Sequence, residues 1–292
     1  MKKFKIKSYC KINLFLKVLK KLNNGYHQIA SLITFCDLYD LITISRINGP
    51  KDKLSFNGKF KKGIKKNSNT ITKVLQLFRT NKLIKNQTFK INVQKNIPHG
   101  SGLGGGSSNA ASLINYFNSK MDLKLNKYKL QKLASQIGFD VPISLEKKNT
   151  FLTGKKNKML RVDKKFKLNL LIVYPNLFCS TKKIYKKNKK IKNKNVKSLN
   201  FIFSPHDNNN KKLMFFLKNE SNDLQESAVK TYPKIERIIR LIKFQKGCHF
   251  SRITGSGSAC IGIFASMRSA VYAQKLIKTR YPNYWCVTSK TI

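Results

Sequence analysis

The alternation of hydrophobic and polar residues changes along the chain between a strand-like period of two and a helical period. Residues 4–20 alternate apolar and polar side chains, which predicts a β-strand. Further strands are predicted over residues 32–35, 41–47, 89–93, 168–174 and 261–264. Apolar residues spaced three and four positions apart predict helices over residues 71–78, 110–117, 127–137, 235–242 and 270–279. Strands and helices are mixed throughout, which predicts an α+β protein.

A change in composition predicts a boundary between two domains. Lysine and asparagine cluster between residues 150 and 165, and the length of 292 residues allows two domains of modest size. We therefore expect an N-terminal domain over residues 1–160 and a C-terminal domain over residues 161–292.

A glycine-rich segment between a predicted strand and a predicted helix carries the clearest chemical signal. Five of the 15 glycines of the chain fall within residues 100–106. Glycine permits positive φ angles and lets an anion approach the backbone closely, and the start of a helix adds N–H groups and the positive end of the helix dipole. We expect Ser107, Ser108 or Asn109 to cap that helix. The segment therefore predicts a phosphate-binding loop.

Two common phosphate-binding patterns fit this segment poorly. The Walker A loop requires a lysine after its last glycine, whereas Gly106 is followed by Ser107. The dinucleotide fingerprint is present from Gly100 to Gly105, and Asp122 lies near the spacing of a ribose-binding acid. That acid should end a second buried strand, but the residues before Asp122 continue a helix. The dinucleotide fingerprint is therefore a weak match.

A third pattern fits the segment over its whole length. Residues 98–110 read Pro-His-Gly-Ser-Gly-Leu-Gly-Gly-Gly-Ser-Ser-Asn-Ala. This motif resembles the phosphate loop of the galactokinase, homoserine kinase, mevalonate kinase and phosphomevalonate kinase (GHMP) superfamily. Within that superfamily, the run of three glycines before Ser-Ser-Asn-Ala resembles the 4-diphosphocytidyl-2-C-methyl-D-erythritol kinases.

Other motifs of the same family occur in the expected order. Residues 9–16 resemble its Ala-Lys-Leu-Asn-Leu-Phe-Leu motif, with Cys10 in place of alanine, and residues 25–27 match its Gly-Tyr-His. Residues 138–142 resemble its Gly-Ala-Asp-Val-Pro, with phenylalanine in place of alanine. Residues 253–260 resemble the third superfamily motif, a Thr-Gly-Ser-Gly turn followed by small residues. The resemblance therefore covers nearly the whole chain.

The resemblance implies an ATP-dependent kinase with the two-domain fold of the superfamily and its active site in the cleft between the domains. The N-terminal domain would bind ATP. The enzyme would phosphorylate the 2-hydroxyl of 4-diphosphocytidyl-2-C-methyl-D-erythritol, giving the 2-phosphate and ADP, in the non-mevalonate route to isoprenoid precursors. Mg²⁺ is expected with ATP because it neutralises charge on the phosphates. The sequence does not identify a protein ligand for that ion.

The same resemblance assigns roles to individual residues. Lys11 and Asp140 would act on the substrate hydroxyl, and a carboxylate beside a lysine favours the charged forms of both groups. The residues expected to bind ATP are Asn69, Lys95, Pro98, Gly100, Ser101, Gly102, Leu103, Gly104, Gly105, Gly106, Ser107 and Ser108. The residues expected to bind the second substrate are Asn13, Tyr26, His27, Thr181, Tyr185, Gly255, Ser256 and Gly257. Among these, Tyr26, His27 and Tyr185 would hold the cytosine ring.

Charge and cysteine usage narrow the partners and the location. Sixty basic and 12 acidic residues give a net charge of +48, which could indicate nucleic-acid binding. However, lysines are spread along the chain, and the dense run over residues 182–197 contains no interleaved aromatic motif. We expect neither a specific nucleic acid nor a membrane as partner, and a monomer or weak homodimer. The six cysteines include no Cys-x-x-Cys pair, which disfavours a zinc site and a disulfide framework. Cysteines outside a disulfide framework are typical of a reducing compartment, so we expect a cytoplasmic protein.

Two alternatives stay open. The chain could be another GHMP kinase, for example one acting on homoserine or mevalonate, but the Gly-Tyr-His motif at residues 25–27 favours a substrate with a cytosine ring. It could also be a basic nucleic-acid-binding protein that kept the fold without the activity. The presence of Lys11, Asp140 and the complete glycine loop disfavours that alternative.

Overall fold

The computed structural model describes residues 2–23, 25–154, 158–188 and 210–292, and the chain divides into two compact units. The first unit is formed by Met1–Lys11, Leu38–His99 and Gly104–Lys147. The second unit is formed by Ile12–Asp37, Gly100–Leu103 and Lys148–Ile292. Residues 189–197 of the lysine-rich run lie outside the described residues.

The described residues form strands and helices in the following order. The strands are β1 (Phe4–Lys21), β2 (His27–Ile47), β3 (Lys53–Asn57), β4 (Thr88–Gln94), β5 (Asn149–Thr153), β6 (Met159–Val162), β7 (Asn169–Tyr174), β8 (Cys248–Ile253), β9 (Cys260–Phe264) and β10 (Trp285–Lys290). The helices are α1 (Thr70–Thr80), α2 (Gly105–Lys120), α3 (Lys127–Ile137), α4 (Val141–Ser144), α5 (Thr181–Lys187), α6 (Asn210–Asn219), α7 (Gln225–Thr231), α8 (Lys234–Lys243) and α9 (Met267–Arg280). None of the helices in the described ranges is long and apolar enough to cross a membrane.

The first unit packs three helices against a small sheet. The end of β2 pairs antiparallel with β4, and β3 pairs parallel with β4. The hydrophobic stripes of α1, α2 and α3 lie in one core, because residues spaced three and four apart share one face of a helix. Phe117 of α2 contacts Phe78 and Phe89 in this core, with ring centroids 5.3 and 5.0 Å apart. The core thereby fixes α2, whose first residues belong to the glycine loop.

The second unit contains a four-stranded antiparallel sheet in the order β10-β7-β9-β8. Ile238 and Ile242 of α8, together with Ala273 of α9, contribute to the core of this unit. The turn from Thr254 to Ala259 joins the paired strands β8 and β9. The third predicted motif is therefore held at the end of a buried hairpin.

The structure confirms most of the predicted elements, including the strand over residues 4–20 and the five helices. The strands predicted separately at 32–35 and 41–47 are parts of one strand, β2. The intervening residues 36–40 read Cys-Asp-Leu-Tyr-Asp and contain neither glycine nor proline, so nothing in them interrupts the extended backbone.

The predicted cap of α2 is wrong. Ser107, Ser108 and Asn109 all lie inside the helix, whose N-cap is Gly104. Gly104 has a φ of 68° in the left-handed region, where a residue without a Cβ meets little steric cost. The glycine run therefore turns directly into the helix before the polar side chains are reached.

The division into units differs from the predicted domain limits in one respect. Residues 12–37, 100–103 and 148–160 all belong to the second unit. Strands β1 and β2 each contribute residues to both units, which a single boundary in the sequence does not describe. The assignment of residues 1–160 and 161–292 as the two domains stays a prediction.

Candidate active site

Lys11 and Asp140 form an ion pair in the first unit. The Lys11 ammonium lies 3.2 Å from Oδ2 of Asp140. The lysine side chain is 6% exposed and the aspartate side chain 38%, so the pair is reachable from solvent only on the carboxylate side. Burial of the lysine strengthens its interaction with a neighbouring negative charge, because the local dielectric is lower than that of water. The two residues predicted to act on the hydroxyl are thus in contact.

Local structure leaves the Asp140 carboxylate available to Lys11. Asp140 is the N-cap of the short helix α4, and Pro142 lies in its first turn. Its side chain nevertheless makes no cap hydrogen bond. Its backbone carbonyl accepts hydrogen bonds from the N–H and the hydroxyl of Ser144 instead, at 3.2 and 3.0 Å. The helix is therefore fixed through the backbone of Asp140, whose carboxylate points to the lysine.

Gly104 connects this pair to the phosphate loop. A Cβ on Gly104 would lie 2.6 Å from Cγ of Lys11 and 3.0 Å from its Cε. The stem of Lys11 thus packs directly on the N-cap residue of α2. No other residue type fits there without displacing the lysine, which explains a glycine at this position on both steric and conformational grounds.

The start of α2 has the features of an anion-binding site. Its N-cap residue has no side chain to satisfy the first N–H groups, and the first helical hydrogen bond runs from Ser108 N–H to the Gly104 carbonyl at 2.9 Å. The Gly106 carbonyl accepts a hydrogen bond of 2.8 Å from the Thr70 hydroxyl, which fixes the first turn against α1. Uncapped N–H groups and the helix dipole together favour a phosphate oxygen.

Two residues predicted to bind ATP are engaged in contacts within the protein. Asn69 caps α1: its Oδ1 accepts hydrogen bonds from the N–H groups of Ile71 and Thr72. The Lys95 ammonium forms a buried ion pair with Asp40. Their roles towards ATP stay predictions. Pro98, Ser101 and Leu103 are buried as well.

In the second unit, residues 100–103 of the glycine loop contact the third motif. A Cβ on Gly102 would lie 2.1 Å from the Thr254 carbonyl oxygen, and a Cβ on Gly255 would lie 3.1 Å from the Gly102 carbonyl oxygen. The Ser101 carbonyl accepts a hydrogen bond of 3.0 Å from Ala259 N–H. The two glycine-rich motifs are therefore packed backbone to backbone, as the small residues of both allow.

Several predicted substrate-binding residues surround the same turn. Thr254 Oγ1 accepts a hydrogen bond of 2.9 Å from Asn13 N–H, and Asn13 Nδ2 donates to Ser31 Oγ at 2.8 Å. The hydroxyls of Thr181 and Ser256 lie 2.9 Å apart. Gly257 follows with a φ of 79°.

Asn222 holds the third motif, although it was not among the predicted site residues. Its Nδ2 donates hydrogen bonds to the carbonyl oxygens of Ile253 and Gly255 at 3.1 and 2.8 Å. Asn222 precedes α7 by only a few residues and is buried. The sequence signal for this residue is that Asn222 and Asp223 match an Asn-Asp pair of the family that the motifs resemble, but that match alone indicated no role for Asn222 at the site.

Two of the three aromatic residues predicted to hold cytosine are in contact. The rings of His27 and Tyr185 have centroids 4.9 Å apart at an interplanar angle of 33°. Burial of the imidazole, with a smaller contribution from the positive charge of Lys21, lowers the pKa of His27 from its ordinary value of 6.5. The His27 ring is therefore predominantly neutral at neutral pH. Tyr26, next to it in sequence, is half exposed.

The described residues contain no group of three or more His, Cys, Asp and Glu side chains that could hold a metal ion. A Mg²⁺ bound with ATP needs few protein ligands, because phosphate and water oxygens supply most of its coordination.

Comparison with known protein families gives matches in both halves of the chain. Residues 69–148 match the family model described as GHMP kinases N terminal domain. Residues 206–279 match the one described as GHMP kinases C terminal.

Two curated proteins of similar sequence carry the same name. The 4-diphosphocytidyl-2-C-methyl-D-erythritol kinase of Pelagibacter ubique is 38% identical, and the alignment covers 100% of both chains. The protein of the same name from Wolbachia pipientis is 32% identical, again with 100% of both chains covered.

Solved structures show the same fold at lower identity. A crystal structure of a 4-(cytidine 5'-diphospho)-2C-methyl-D-erythritol kinase matches with a TM-score of 0.74 and 22% identity, covering 98% of this chain and 99% of the other. A homoserine kinase from Cytophaga hutchinsonii matches with a TM-score of 0.73 and 14% identity, covering 100% and 95%. Since the second acts on a different substrate by its name, these likenesses establish the fold alone.

Proposed function

Because the chain belongs to the 4-diphosphocytidyl-2-C-methyl-D-erythritol kinases of the GHMP superfamily, we propose that it transfers the γ-phosphoryl group of ATP to the 2-hydroxyl of 4-diphosphocytidyl-2-C-methyl-D-erythritol. The products are the 2-phosphate and ADP, and the reaction serves isoprenoid precursor biosynthesis. The membership confirms the resemblance read from the motifs and, with it, the GHMP kinase fold. The observation that carries the proposal is the contact of Lys11 with both Asp140 and Gly104.

ATP is held chiefly by backbone groups in this proposal. The uncapped N–H groups at the start of α2 donate hydrogen bonds to the phosphate oxygens, and the absence of side chains at Gly104, Gly105 and Gly106 lets those oxygens approach. Phosphoryl transfer needs mainly positioning and charge stabilisation rather than covalent chemistry by the protein. A fixed helix start supplies both.

The ion pair acts on the attacking hydroxyl. Asp140 accepts the proton of the 2-hydroxyl as its oxygen bonds to the γ-phosphorus and the bond from that phosphorus to the bridging oxygen of ADP breaks. The Lys11 ammonium stabilises the negative charge that develops on the attacking oxygen. Because Lys11 is buried and packed on Gly104, its charge is already in place before the substrate arrives.

Mg²⁺ supplies charge neutralisation on the β- and γ-phosphates when it is bound with ATP. Ser107 lies in the first turn of α2, is partly exposed, and offers a hydroxyl oxygen of the kind that binds this ion.

The composition and the free state of all six cysteines support a cytoplasmic location in the same proposal. We propose a monomer or a weak homodimer.

The cytosine ring is recognised by aromatic residues of the second unit. His27 and Tyr185, already in contact with one another, offer ring faces, and neutral His27 offers one donor and one acceptor to the edge of the base. Tyr26 is half exposed and provides a further ring for stacking.

A substrate comparison tests this function. Coupled ADP release is measured with purified protein and, in turn, 4-diphosphocytidyl-2-C-methyl-D-erythritol, homoserine and mevalonate. We expect ADP release with the cytidine compound and only background release with the other two. Release with homoserine or mevalonate would assign the chain to another substrate within the superfamily, and release with none would contradict kinase activity.

A further inference from the structure

Asp40 is a fully buried acid in β2 that belongs to none of the sequence motifs. Its Oδ1 accepts hydrogen bonds from the backbone N–H groups of Asn96 and Ile97, at 2.7 and 2.9 Å. These two residues directly precede Pro98, where the glycine loop begins. One carboxylate oxygen therefore holds the start of the loop by its backbone.

The other oxygen of Asp40 neutralises Lys95. The Lys95 ammonium and Asp40 Oδ2 form an ion pair, and both side chains are buried, at 3% and 0% exposure. Charges buried to this degree are costly unless they are paired and hydrogen-bonded. The ion pair and the two backbone hydrogen bonds satisfy that condition for the carboxylate.

The same carboxylate lies beside the start of α2. A Cβ on Gly105 would lie 3.0 Å from Cγ2 of Ile97 and 3.4 Å from Oδ2 of Asp40. Ile97, which Asp40 holds by its N–H, thus packs against the first residue of the helix. Asp40 therefore binds the segment that begins the loop and lies beside the helix that ends it.

We propose that Asp40 is the positioning residue of the phosphate loop, and that Lys95 affects ATP binding by neutralising Asp40 rather than by contacting ATP. The hydrogen bonds of Asp40 keep Ile97 seated against Gly105, so that the N–H groups of α2 face the phosphates. An unneutralised carboxylate at this place would repel the phosphates instead. The inference rests on the proposed function only in taking ATP as the ligand.

Variants that remove one or both charges of the Asp40–Lys95 pair distinguish the positioning role of Asp40 from a direct contact of Lys95 with ATP. Lys95→Met leaves the Asp40 carboxylate uncompensated beside the helix start, so the Kd for ATP should rise by about tenfold or more. The double variant Asp40→Asn with Lys95→Met removes both charges but keeps an amide oxygen for the two N–H groups. We expect it to recover most of the lost ATP affinity. If Lys95 contacts ATP directly, the double variant will bind ATP as weakly as Lys95→Met.

Asp52 provides a matched control in the same unit. Its carboxylate accepts the Phe89 N–H at 2.9 Å and pairs with Arg79 at 2.7 Å, so it repeats the arrangement of Asp40 away from the glycine loop. Asp52→Asn should lower the melting temperature and leave the Kd for ATP unchanged. If Asp52→Asn weakens ATP binding as much as Lys95→Met, the effect is a general loss of stability, and the positioning role is wrong.

Amide hydrogen exchange in the unaltered protein tests the hydrogen bonds without any substitution. The amides of Asn96 and Ile97 should exchange slowly in the absence of ATP, and rapid exchange of both would contradict the role of Asp40. This result holds even if the variants do not fold. The titration uses ATP alone, so its result does not depend on the identity of the second substrate. An unaltered protein that binds no ATP contradicts the proposed function, whereas equal ATP affinity in all variants contradicts this inference.

Discussion

The carboxylate of Asp140 lies 3.2 Å from the ammonium of Lys11, although Asp140 stands at the N-cap position of α4. An aspartate at an N-cap ordinarily accepts a hydrogen bond from the first turn of its helix. Asp140 makes no such bond, and more than a third of its side chain is exposed. The carboxylate is thus held by a lysine and open to a substrate, which suits a proton acceptor better than a structural cap.

Asp140→Asn should abolish proton acceptance while keeping the shape of the side chain. We expect kcat to fall by about a hundredfold or more, the scale of losing a general base. The Kd for ATP should change little, because the phosphates are held by the start of α2. Steady-state kinetics and ATP titration measure the two quantities. Asp163→Asn removes an acid that is 84% exposed and paired with Lys148, and should leave both unchanged. Full activity of Asp140→Asn would refute the assignment of the base.

Gly104→Ala should impair ATP binding through one added methyl group. That group would lie 2.6 Å from Cγ of Lys11, and the φ of 68° is unfavourable for alanine. Overpacking and backbone strain of this kind correspond to a rise of about tenfold or more in the Kd for ATP. Gly49→Ala is the control, because a Cβ there meets nothing within 4 Å and its φ lies outside the left-handed region. Titration of both folded variants with ATP makes the comparison, and equal affinities would contradict a close-packed N-cap.

His27→Ala and Tyr185→Ala should selectively weaken the binding of the cytidine substrate. Stacking on a base is worth about 1–3 kcal/mol per aromatic ring, so we expect KM for this substrate to rise about tenfold to a hundredfold. KM for ATP should stay nearly constant. Tyr272→Ala removes an aromatic side chain that is 59% exposed and outside the predicted site, and should change neither KM. A rise in KM for ATP alone would show that the aromatic residues serve the adenine instead.

The pH dependence of KM should report the charge of His27. Its pKa is lowered from the ordinary value of 6.5, first by burial and then by the charge of Lys21. A lowered pKa means that the ring is mostly neutral at neutral pH and gains its proton in more acidic solution than an ordinary histidine does. If the neutral ring binds cytosine, KM for the cytidine substrate should be flat around neutral pH and rise in acidic solution.

Lys21→Met sharpens this test because it removes one of the two causes of the lowered pKa. The rise in KM should then begin at a higher pH than in the unaltered protein. A profile that keeps its shape in both Lys21→Met and His27→Gln would assign the pH dependence to another group.

The sequence predicted the parts of the fold that depend on local patterns. Phe78 and Phe117 lie on apolar faces that repeat every three to four residues, and such faces must be buried whatever the topology. The left-handed Gly104 was not predicted as the N-cap, because serine and asparagine are usually preferred there. Here the steric freedom of glycine decided where the helix begins.

The sequence predicted site residues within motifs and missed those that act through long-range contacts. Lys11 and Asp140 were found because each stands in a recognisable motif, although 129 positions separate them. Asp40 was missed because nothing near it in the sequence indicates that it meets residues 95–97. Its role depends on the pairing of β2 with β4, which local patterns do not encode.

Phosphorus NMR of the reaction product tests the central claim most directly. The C2 atom of a 2-C-methyl-erythritol carries no hydrogen, so a phosphate on the 2-hydroxyl gives a phosphomonoester signal without three-bond splitting by protons. With ATP and 4-diphosphocytidyl-2-C-methyl-D-erythritol, we predict one new unsplit phosphomonoester signal, formed in equal amount with ADP and formed about a hundredfold more slowly with Asp140→Asn. A doublet or triplet would place the phosphate on a different hydroxyl, and formation of inorganic phosphate alone would contradict transfer to the substrate.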